Sequence, residues 1–235
     1  MIDNIISFFE RKLTENRDEE RAQKMTAYMK NIQPFFGIPT PKRKEFYKEF
    51  KKEMGKEFIN WISEDKIDKL VNAFWGKRER EYRYVGLFLL DYCKINTPRQ
   101  LPLLRKLIIQ GNWWDTTDSI AIDFVNPLLL NYQKTIRPVI KEWVNTDNLW
   151  LRRTAILSQL YFKTETDLDL LQYCITQTML EKEFFIQKAI GWALREYSKT
   201  NPTFVIQFMD KFHSSLSKLS IREGEKYLTK KRGIQ

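Results

Sequence analysis

The sequence predicts an all-α protein, and three observations support that fold class. Apolar residues recur at three- and four-residue spacing through nearly the whole chain, and no stretch alternates with period two over a useful length. The 235 residues include only 8 glycines and 8 prolines, and the prolines cluster between the predicted helices. Helices with short connections that pair at roughly 40-residue spacing are typical of HEAT or armadillo repeats. We therefore expect one domain over residues 1–235, an α-solenoid of HEAT-like helical repeats with a concave basic face.

Start and stop signals define the predicted helices. Pro41 suits a first helical turn, Gly111 ends a helix, and Asp167 caps one. The predicted helices cover residues 5–13, a segment ending at 31, 41–54, two helices within 58–75, 79–94, 97–109, a helix in the segment that begins at 114, 128–132, 136–144, a helix from 148, 167–180, 184–197, a helix from 202, and a last helix that frays as a solvated end at 230–232.

The charge balance points to a polyanionic partner. Lys and Arg number 40 against 30 Asp and Glu, which gives a net charge of +10 and a pI near 9.4. Such a basic chain favours nucleic acid first and an anionic membrane surface second. No apolar run is long enough to span a bilayer, and Asp3 stands where a signal peptide would carry basic residues. We therefore expect a cytoplasmic monomer that associates with the nucleoid when bound to DNA.

Cysteine and histidine usage excludes several catalytic devices. Cys93 and Cys174 lie in apolar helical patterns and are expected to be free thiols. With His213 as the single histidine, expected on the surface, the chain lacks the ligands of a usual structural zinc site and the base of a Ser-His or Cys-His device. A phosphate-binding glycine-rich loop is also missing, so no cofactor is predicted.

The segment around Trp113 combines aromatic rings with carboxylates. Trp114 and Asp118 are four residues apart in a predicted helix, so they share a face. An aromatic plane beside a carboxylate can stabilise a cationic group. The alternative is that both tryptophans belong to the core and that Asp115 is an N-terminal cap.

A second candidate is a basic and aromatic stripe. Lys188, Trp192 and Arg195 stand at i, i+4 and i+7 and share a face, which suits a phosphate backbone with a ring against a sugar or base. The alternative is a core tryptophan flanked by cations that reach to solvent. Gly191 is costly inside a helix, so it indicates close helix packing or close approach of a ligand.

Three further residues have the chemistry of DNA contacts. Arg152 and Arg153 form an arginine pair suited to bidentate phosphate contact, with surface salt bridges as the alternative. Tyr28 precedes a Lys-Asn pair, and packing into the core is its alternative role.

Five segments, in order along nearly the whole chain, resemble the AlkD-type DNA alkylation repair proteins. They are 28–31 (Tyr-Met-Lys-Asn), 36–41 (Phe-Gly-Ile-Pro-Thr-Pro), 113–118 (Trp-Trp-Asp-Thr-Thr-Asp), 150–153 (Trp-Leu-Arg-Arg) and 184–197 (FFIQKAIGWALREY). The resemblance implies a HEAT-like DNA glycosylase for alkylated purines, such as N7-alkylguanine and N3-alkyladenine in duplex DNA, that does not flip the base into the protein.

The resemblance also assigns roles to individual residues. It implies that Asp118 is the catalytic carboxylate and that Trp114 and Trp192 lie against the deoxyribose of the lesion. It further implies that Arg153 contacts a phosphate and that Tyr28 lies near the DNA.

The chemistry of such a lesion fits these residue types independently of the resemblance. An alkylated purine that already carries positive charge is a good leaving group and needs no general acid. Positive charge then grows on the sugar, where a carboxylate and aromatic faces stabilise it. Two alternatives remain open: a non-catalytic helical-repeat protein that binds distorted or branched DNA, and a protein-binding scaffold whose contact with DNA is weak and insensitive to salt.

Overall fold

The computed structural model describes residues 1–231, with side chains described up to Leu228. Helices dominate this part of the chain, and no strand occurs in it, so the all-α prediction is confirmed. The side chains expected at the solvated end, at 230–232, lie outside the described ones. No helix within residues 1–231 is long and apolar enough to cross a membrane.

The chain divides into two compact units, of which the first ends at Ile95 and the second begins at Asn96. The prediction of one domain over the whole chain stays a prediction. The helices of the first unit are α1 (Ile2–Glu15), α2 (Glu19–Tyr28), α3 (Thr40–Glu53), α4 (Gly55–Trp61), α5 (Glu64–Trp75) and α6 (Glu81–Tyr92).

Phenylalanines form the core of the first unit. The ring of Phe9 lies 5.2 Å from Phe50 and 5.9 Å from Phe74, and Phe50 lies 5.5 Å from Phe58. All four side chains are fully buried. Because each comes from a different helix, their edge-to-face and tilted contacts join α1, α3, α4 and α5.

The second unit contains the remaining helices. They are α7 (Leu101–Gly111), α8 (Trp114–Ile120), α9 (Asn126–Asn131), α10 (Gln133–Val144), α11 (Leu149–Leu157), α12 (Leu168–Thr178), α13 (Phe184–Ser198), α14 (Pro202–Lys211) and α15 (Lys218–Lys231), with short 3₁₀ turns at Pro98–Gln100 and Lys163–Glu165.

Helices of the second unit contact partners that are not their neighbours in sequence. Helix α8 packs on α11, α11 on α13, and α13 on α15, while α10 packs on α12. This alternation is what stacked helix pairs produce, as the sequence predicted.

The helix that carries the Trp-Asp segment departs from the prediction at its far end. Pro127 does not separate two helices, because α8 continues into α9 through a π-helical segment, Ala121–Val125. A proline inside an α-helix crowds the carbonyl four residues earlier, here that of Asp123, and the wider π turn relieves that contact. Periodicity at 3.6 residues cannot reveal such a segment.

Candidate catalytic site and nucleic-acid interface

The Trp-Asp segment begins helix α8. Asn112, in a left-handed conformation with φ of 47°, ends α7 and allows α8 to begin at Trp114. Trp114 and Asp118 therefore stand one helical turn apart, as predicted, and both are half-buried. Trp113 occupies the N-cap position, so the alternative of Asp115 as the cap is wrong; Asp115 lies in the first turn.

Asp118 is held by Arg153 of α11 in a two-point ion pair. Nε of Arg153 donates to Oδ1 of Asp118 at 2.7 Å, and Nη2 donates to Oδ2 at 2.8 Å. The Arg153 side chain is only 6% exposed and the Asp118 side chain only 14%. Burial raises the pKa of the Asp118 carboxyl above its usual value, and the hydrogen bonds and charge of Arg153 oppose that rise. Two parallel donors require two acceptor oxygens, so the geometry is that of a carboxylate.

An aromatic cluster packs beside this pair. Trp113, Trp150 and Phe185 have ring centroids 5.1–5.9 Å apart. The guanidinium of Arg153 lies 5.8 Å from the Phe185 ring, and its Nη1 donates to the Phe185 carbonyl oxygen at 2.5 Å. Trp113 is thus a packing residue, while the cluster fixes Arg153 in place for its contact with Asp118.

The predicted phosphate contacts of the arginine pair have other partners in the structure. Arg152 donates from Nε and Nη2 to the Glu181 carboxylate and from Nη1 to the Thr146 carbonyl oxygen at 2.8 Å, which is the salt-bridge alternative. Arg153 is buried and uses three of its five N–H groups on Asp118 and Phe185. Contact of Arg153 with a phosphate stays a prediction.

The basic stripe of α13 surrounds a carboxylate of α15. Lys188 Nζ lies 2.9 Å from Oε1 of Glu223, and Arg195 Nη1 lies 3.2 Å from Oε2. Lys226 adds a third cation at 2.8 Å. The predicted shared face of Lys188 and Arg195 is therefore confirmed, and the half-buried Trp192 lies between them in sequence. Lys188 and Arg195 thus share one carboxylate.

These neighbouring cations favour the ionised form of Glu223. Burial by itself would raise the pKa of Glu223, but hydrogen bonds from Lys226 and Lys188 outweigh it and lower the pKa to about 2. Gly191 makes the approach of the two helices possible, because a Cβ there would stand 2.4 Å from Glu223 Cβ and 2.9 Å from the Ser220 carbonyl oxygen. Of the two predicted reasons for this glycine, close helix packing is the one observed.

The N-terminal segment that contains Tyr28 belongs to the first unit. Tyr28 is 72% exposed at the end of α2, so its alternative role as a core residue is excluded. The Phe-Gly-Ile turn that follows donates three backbone N–H groups to the buried Glu81 carboxylate, from Phe36, Gly37 and Ile38 at 3.0–3.1 Å. Gly37 adopts φ of 87°, and a Cβ there would meet the Asp18 carbonyl oxygen at 2.2 Å. This part of the segment is therefore structural.

Sequence reasoning missed the partners of these candidate residues. Each of three predicted segments is held by a glutamate that lies 28–45 residues away from it in sequence. These glutamates are Glu81, Glu181 and Glu223. It also missed Tyr161, which adopts φ of 74°. Burial and the charge of Glu196 raise the pKa of Tyr161, and Asp118 contributes to the same rise. No local signal in the sequence marks these residues.

A cavity of about 150 Å³ lies beside Tyr161. Its lining includes Ile156, Ala193 and Glu196. Small-molecule sites generally have volumes of about 300 Å³ or more. The cavity is therefore too small for a drug-sized ligand, whereas the basic cluster suits an extended polyanion. Cys93 and Cys174 are free thiols and His213 is exposed, as predicted.

The fold and this site define a class: a helical-repeat protein with a buried Asp-Arg ion pair and a cluster of basic side chains around Glu223. A sequence model of the family described as DNA alkylation repair enzyme matches residues 9–228. The chain therefore belongs to the DNA alkylation repair enzyme family, as the motifs predicted. Membership supports a role in the repair of alkylated DNA and implies DNA binding.

Solved structures resemble the chain to different degrees. A predicted DNA alkylation repair enzyme from Enterococcus faecalis shares 37% identity with a TM-score of 0.80, over 91% of this chain and 97% of that one. AlkD2 from Streptococcus mutans shares 21% and smu.31 from Streptococcus mutans UA159 shares 20%, each with a TM-score of 0.57 over 78% of this chain and 98% of the other. These last two show the fold alone. No curated protein sequence matches the chain at a significant level.

Proposed function

We propose that this protein is a monofunctional DNA glycosylase that hydrolyses the glycosidic bond of cationic alkylated purines, such as N7-alkylguanine and N3-alkyladenine, in duplex DNA. It acts in base excision repair without placing the base in a protein pocket. The observation that carries this proposal is the Asp118 carboxylate, which Arg153 orients on the helix face that also bears Trp114.

The reaction breaks the bond between C1′ of the deoxyribose and a purine nitrogen. The electron pair of that bond leaves with the purine, which loses its positive charge and departs as a neutral base. Positive charge grows on the sugar, water adds at C1′, and the water's proton passes to solvent. The products are free base and an abasic site, and no general acid is needed because the leaving group is already activated.

Asp118 stabilises the charge on the sugar and orients the water. A preorganised group of this kind is worth about 3–4 kcal/mol, or more than about a hundredfold in rate. Trp114 and Trp192 present aromatic faces to the same cationic sugar, each worth about 0.5–2 kcal/mol. This site accelerates the release of a neutral purine too little for excision. Selectivity therefore comes from the lability of the glycosidic bond in the cationic lesion.

The DNA backbone binds to the cations around the site. Lys188 and Arg195 share the single carboxylate of Glu223, so their two positive charges exceed its one negative charge, which favours a phosphate at this cluster. We assign Arg153 primarily to positioning Asp118, with its two remaining N–H groups directed to a phosphate. Tyr28, exposed in the first unit, is a further DNA contact.

Single-turnover base release from two duplexes tests this function. One duplex contains N7-methylguanine and the other contains hypoxanthine, a neutral purine lesion. We expect rapid release of N7-methylguanine, no release of hypoxanthine and no strand cleavage at the abasic site.

Absence of N7-methylguanine release would contradict the proposal. If binding to DNA then remained tight and fell with salt, the protein would be a non-catalytic binder of distorted or branched DNA. Weak binding that does not depend on salt would instead indicate a protein-binding scaffold.

A further inference from the structure

Tyr161 has a strained backbone in the connection that follows α11. Its φ of 74° lies in the left-handed region, which glycine adopts freely and a bulky side chain adopts at a cost. The side chain is 49% exposed, so packing in the core accounts for only part of the role of this tyrosine. Residues held in such conformations cluster at ligand-binding positions, where the surrounding structure fixes them.

Two buried side-chain amides fix the backbone around this tyrosine. Asn126 Nδ2 donates to the Leu160 carbonyl oxygen at 2.8 Å. Gln159 Nε2 donates to the Asp167 carbonyl oxygen at 3.0 Å, and the Asp167 N–H donates to Gln159 Oε1 at 2.7 Å. Asn126 begins α9, which continues the run of helix that carries Asp118. The tyrosine is therefore preorganised, and one of its supports belongs to the same run of helix as the candidate catalytic carboxylate.

The Tyr161 side chain lies beside the C-terminal half of α13. It shares the lining of the small cavity with Ala193, Glu196 and Lys199. Ala193 directly follows Trp192, and Lys199 stands seven residues after Trp192, so it extends the same face of α13. Lys199 Nζ donates to Glu196 at 2.6 Å. Tyr161 is thus a third aromatic residue beside the candidate site, at the end of the stripe that carries Trp192.

The Tyr161 hydroxyl is a hydrogen-bond donor within reach of the charges of the candidate site. Burial and then the charge of Glu196 raise the pKa of Tyr161, and Asp118 adds to the rise, while Lys199 and Arg195 oppose it. The hydroxyl therefore keeps its proton at neutral pH. In the described part of the chain, no group accepts a hydrogen bond from it. Its donor is available to a ligand that occupies the site.

We propose that the Tyr161 hydroxyl donates a hydrogen bond to a phosphate of the lesion-bearing strand and thereby holds the deoxyribose at Asp118. The proposal rests on the proposed function, because that function places the sugar between Asp118 and Trp192. Phosphates are the immediate neighbours of each sugar along a strand, and their oxygens are the charged acceptors of the DNA backbone. Tyrosine hydroxyls are among the groups that bind these oxygens and fix the position of a protein on a duplex.

Equilibrium binding to a duplex that contains a stable abasic-site analogue tests this contact without any bond cleavage. Tyr161→Phe removes the hydroxyl and keeps the ring. Tyr132→Phe is the control, at a tyrosine of the second unit that is 40% exposed. We expect Tyr161→Phe to bind about tenfold more weakly than the wild type, and Tyr132→Phe to match it. The slope of affinity against salt should stay the same, because a neutral hydroxyl releases no counterion.

Replacement of single phosphates by neutral methylphosphonates identifies the acceptor. Each phosphate near the analogue is replaced in turn, and the affinities of the wild type and of Tyr161→Phe are compared. At one position the wild type should lose clearly more affinity than Tyr161→Phe, because the variant has already lost that hydrogen bond.

The contact is overturned if Tyr161→Phe binds the duplex as tightly as the wild type, or if every methylphosphonate weakens both proteins equally. In the second case the hydroxyl supports the protein and does not bind a phosphate. Failure of the proposed function is distinguishable, because a wild type that shows the coupled loss but releases no N7-methylguanine retains the contact and loses the glycosylase.

Discussion

At Asp118, burial and an ion pair act on the same carboxyl group in opposite directions. Burial favours the neutral acid, whereas Arg153 favours the anion. A carboxylate that stabilises a growing positive charge must be anionic and shielded from water, since electrostatic interactions are weak in water. The buried pair meets both conditions. Sequence reasoning identified both residues, but it could not predict their pairing, because 35 residues separate them.

Replacing Arg153 should destabilise the fold in a pH-dependent way. Arg153→Gln leaves Asp118 buried without a cation, which costs about 3–5 kcal/mol. The pKa of Asp118 then rises further above its unfolded value, so the folded state binds more protons than the unfolded state. The stability of the Arg153→Gln variant therefore falls as pH increases above about 4. Urea unfolding at about pH 5 and about pH 8 should show the larger loss at the higher pH.

Arg152→Gln is the matched control for that measurement. Its pair with Glu181 also has two-point geometry but is more exposed, with side chains at 16% and 24%. Solvent weakens such a pair, so we expect a smaller loss of unfolding free energy. Equal losses in the two variants would contradict the importance of burial at Asp118.

At the scale of elements, the contact of α13 with α15 supports the basic surface. Helix α13 carries Lys188 and Arg195, and α15 supplies Glu223, which binds both. The sequence indicated α13 and the shared face of its cations because helical periodicity is local. It did not indicate Glu223, since which helices become neighbours depends on packing along the whole unit.

Gly191→Ala should loosen this contact. The new Cβ would stand 2.4 Å from Glu223 Cβ and 2.9 Å from a backbone oxygen, so α15 must shift. We expect a loss of about 1–3 kcal/mol in unfolding free energy. Gly86→Ala in α6 is the control, because its nearest neighbour would be Val71 Cγ1 at 3.6 Å, and we expect a gain of about 0.5–1 kcal/mol. Denaturant melts measure both, and a stabilising Gly191→Ala would contradict the close approach.

Glu223 should contribute to stability in a defined pH range. Its pKa falls from 4.5 to about 2 on folding, so the unfolded state binds more protons between these values. The stabilisation is complete above the unfolded pKa and is lost as pH falls through this range. The difference in unfolding free energy between the wild type and Glu223→Gln should therefore shrink on acidification. Glu142→Gln, at an exposed position of α10, is the control for removing a surface carboxylate, and we expect it to change the unfolding free energy by less than about 0.5 kcal/mol.

At the scale of the whole molecule, the net charge of +10 predicts how binding depends on salt. DNA affinity should fall steeply with salt, and removing one phosphate contact should reduce the slope by about one. Lys188→Gln should show that reduction, whereas Lys188→Arg retains the charge and should keep the wild-type slope. A slope that is the same in all three proteins would show that Lys188 makes no phosphate contact.

The sequence predicts features that depend on residues close together along the chain, and it does not predict features that depend on residues far apart. Asp167 caps a helix as expected because capping depends on residues two or three positions away, and Asn148 caps α11 in the same way. The all-α fold class follows from such local signals repeated along the chain. The Glu223 cluster depends on tertiary contacts, which no local pattern contains.

Single-turnover release of N7-methylguanine by Asp118→Asn tests the central claim, that this carboxylate stabilises the charge on the sugar. Asp123→Asn is the control, because Asp123 is an exposed carboxylate farther along the same run of helix. With folding and DNA binding matched, we expect Asp118→Asn to release the base at least about a hundredfold more slowly than the wild type, and Asp123→Asn to match it. Release by Asp118→Asn at the wild-type rate would contradict the account.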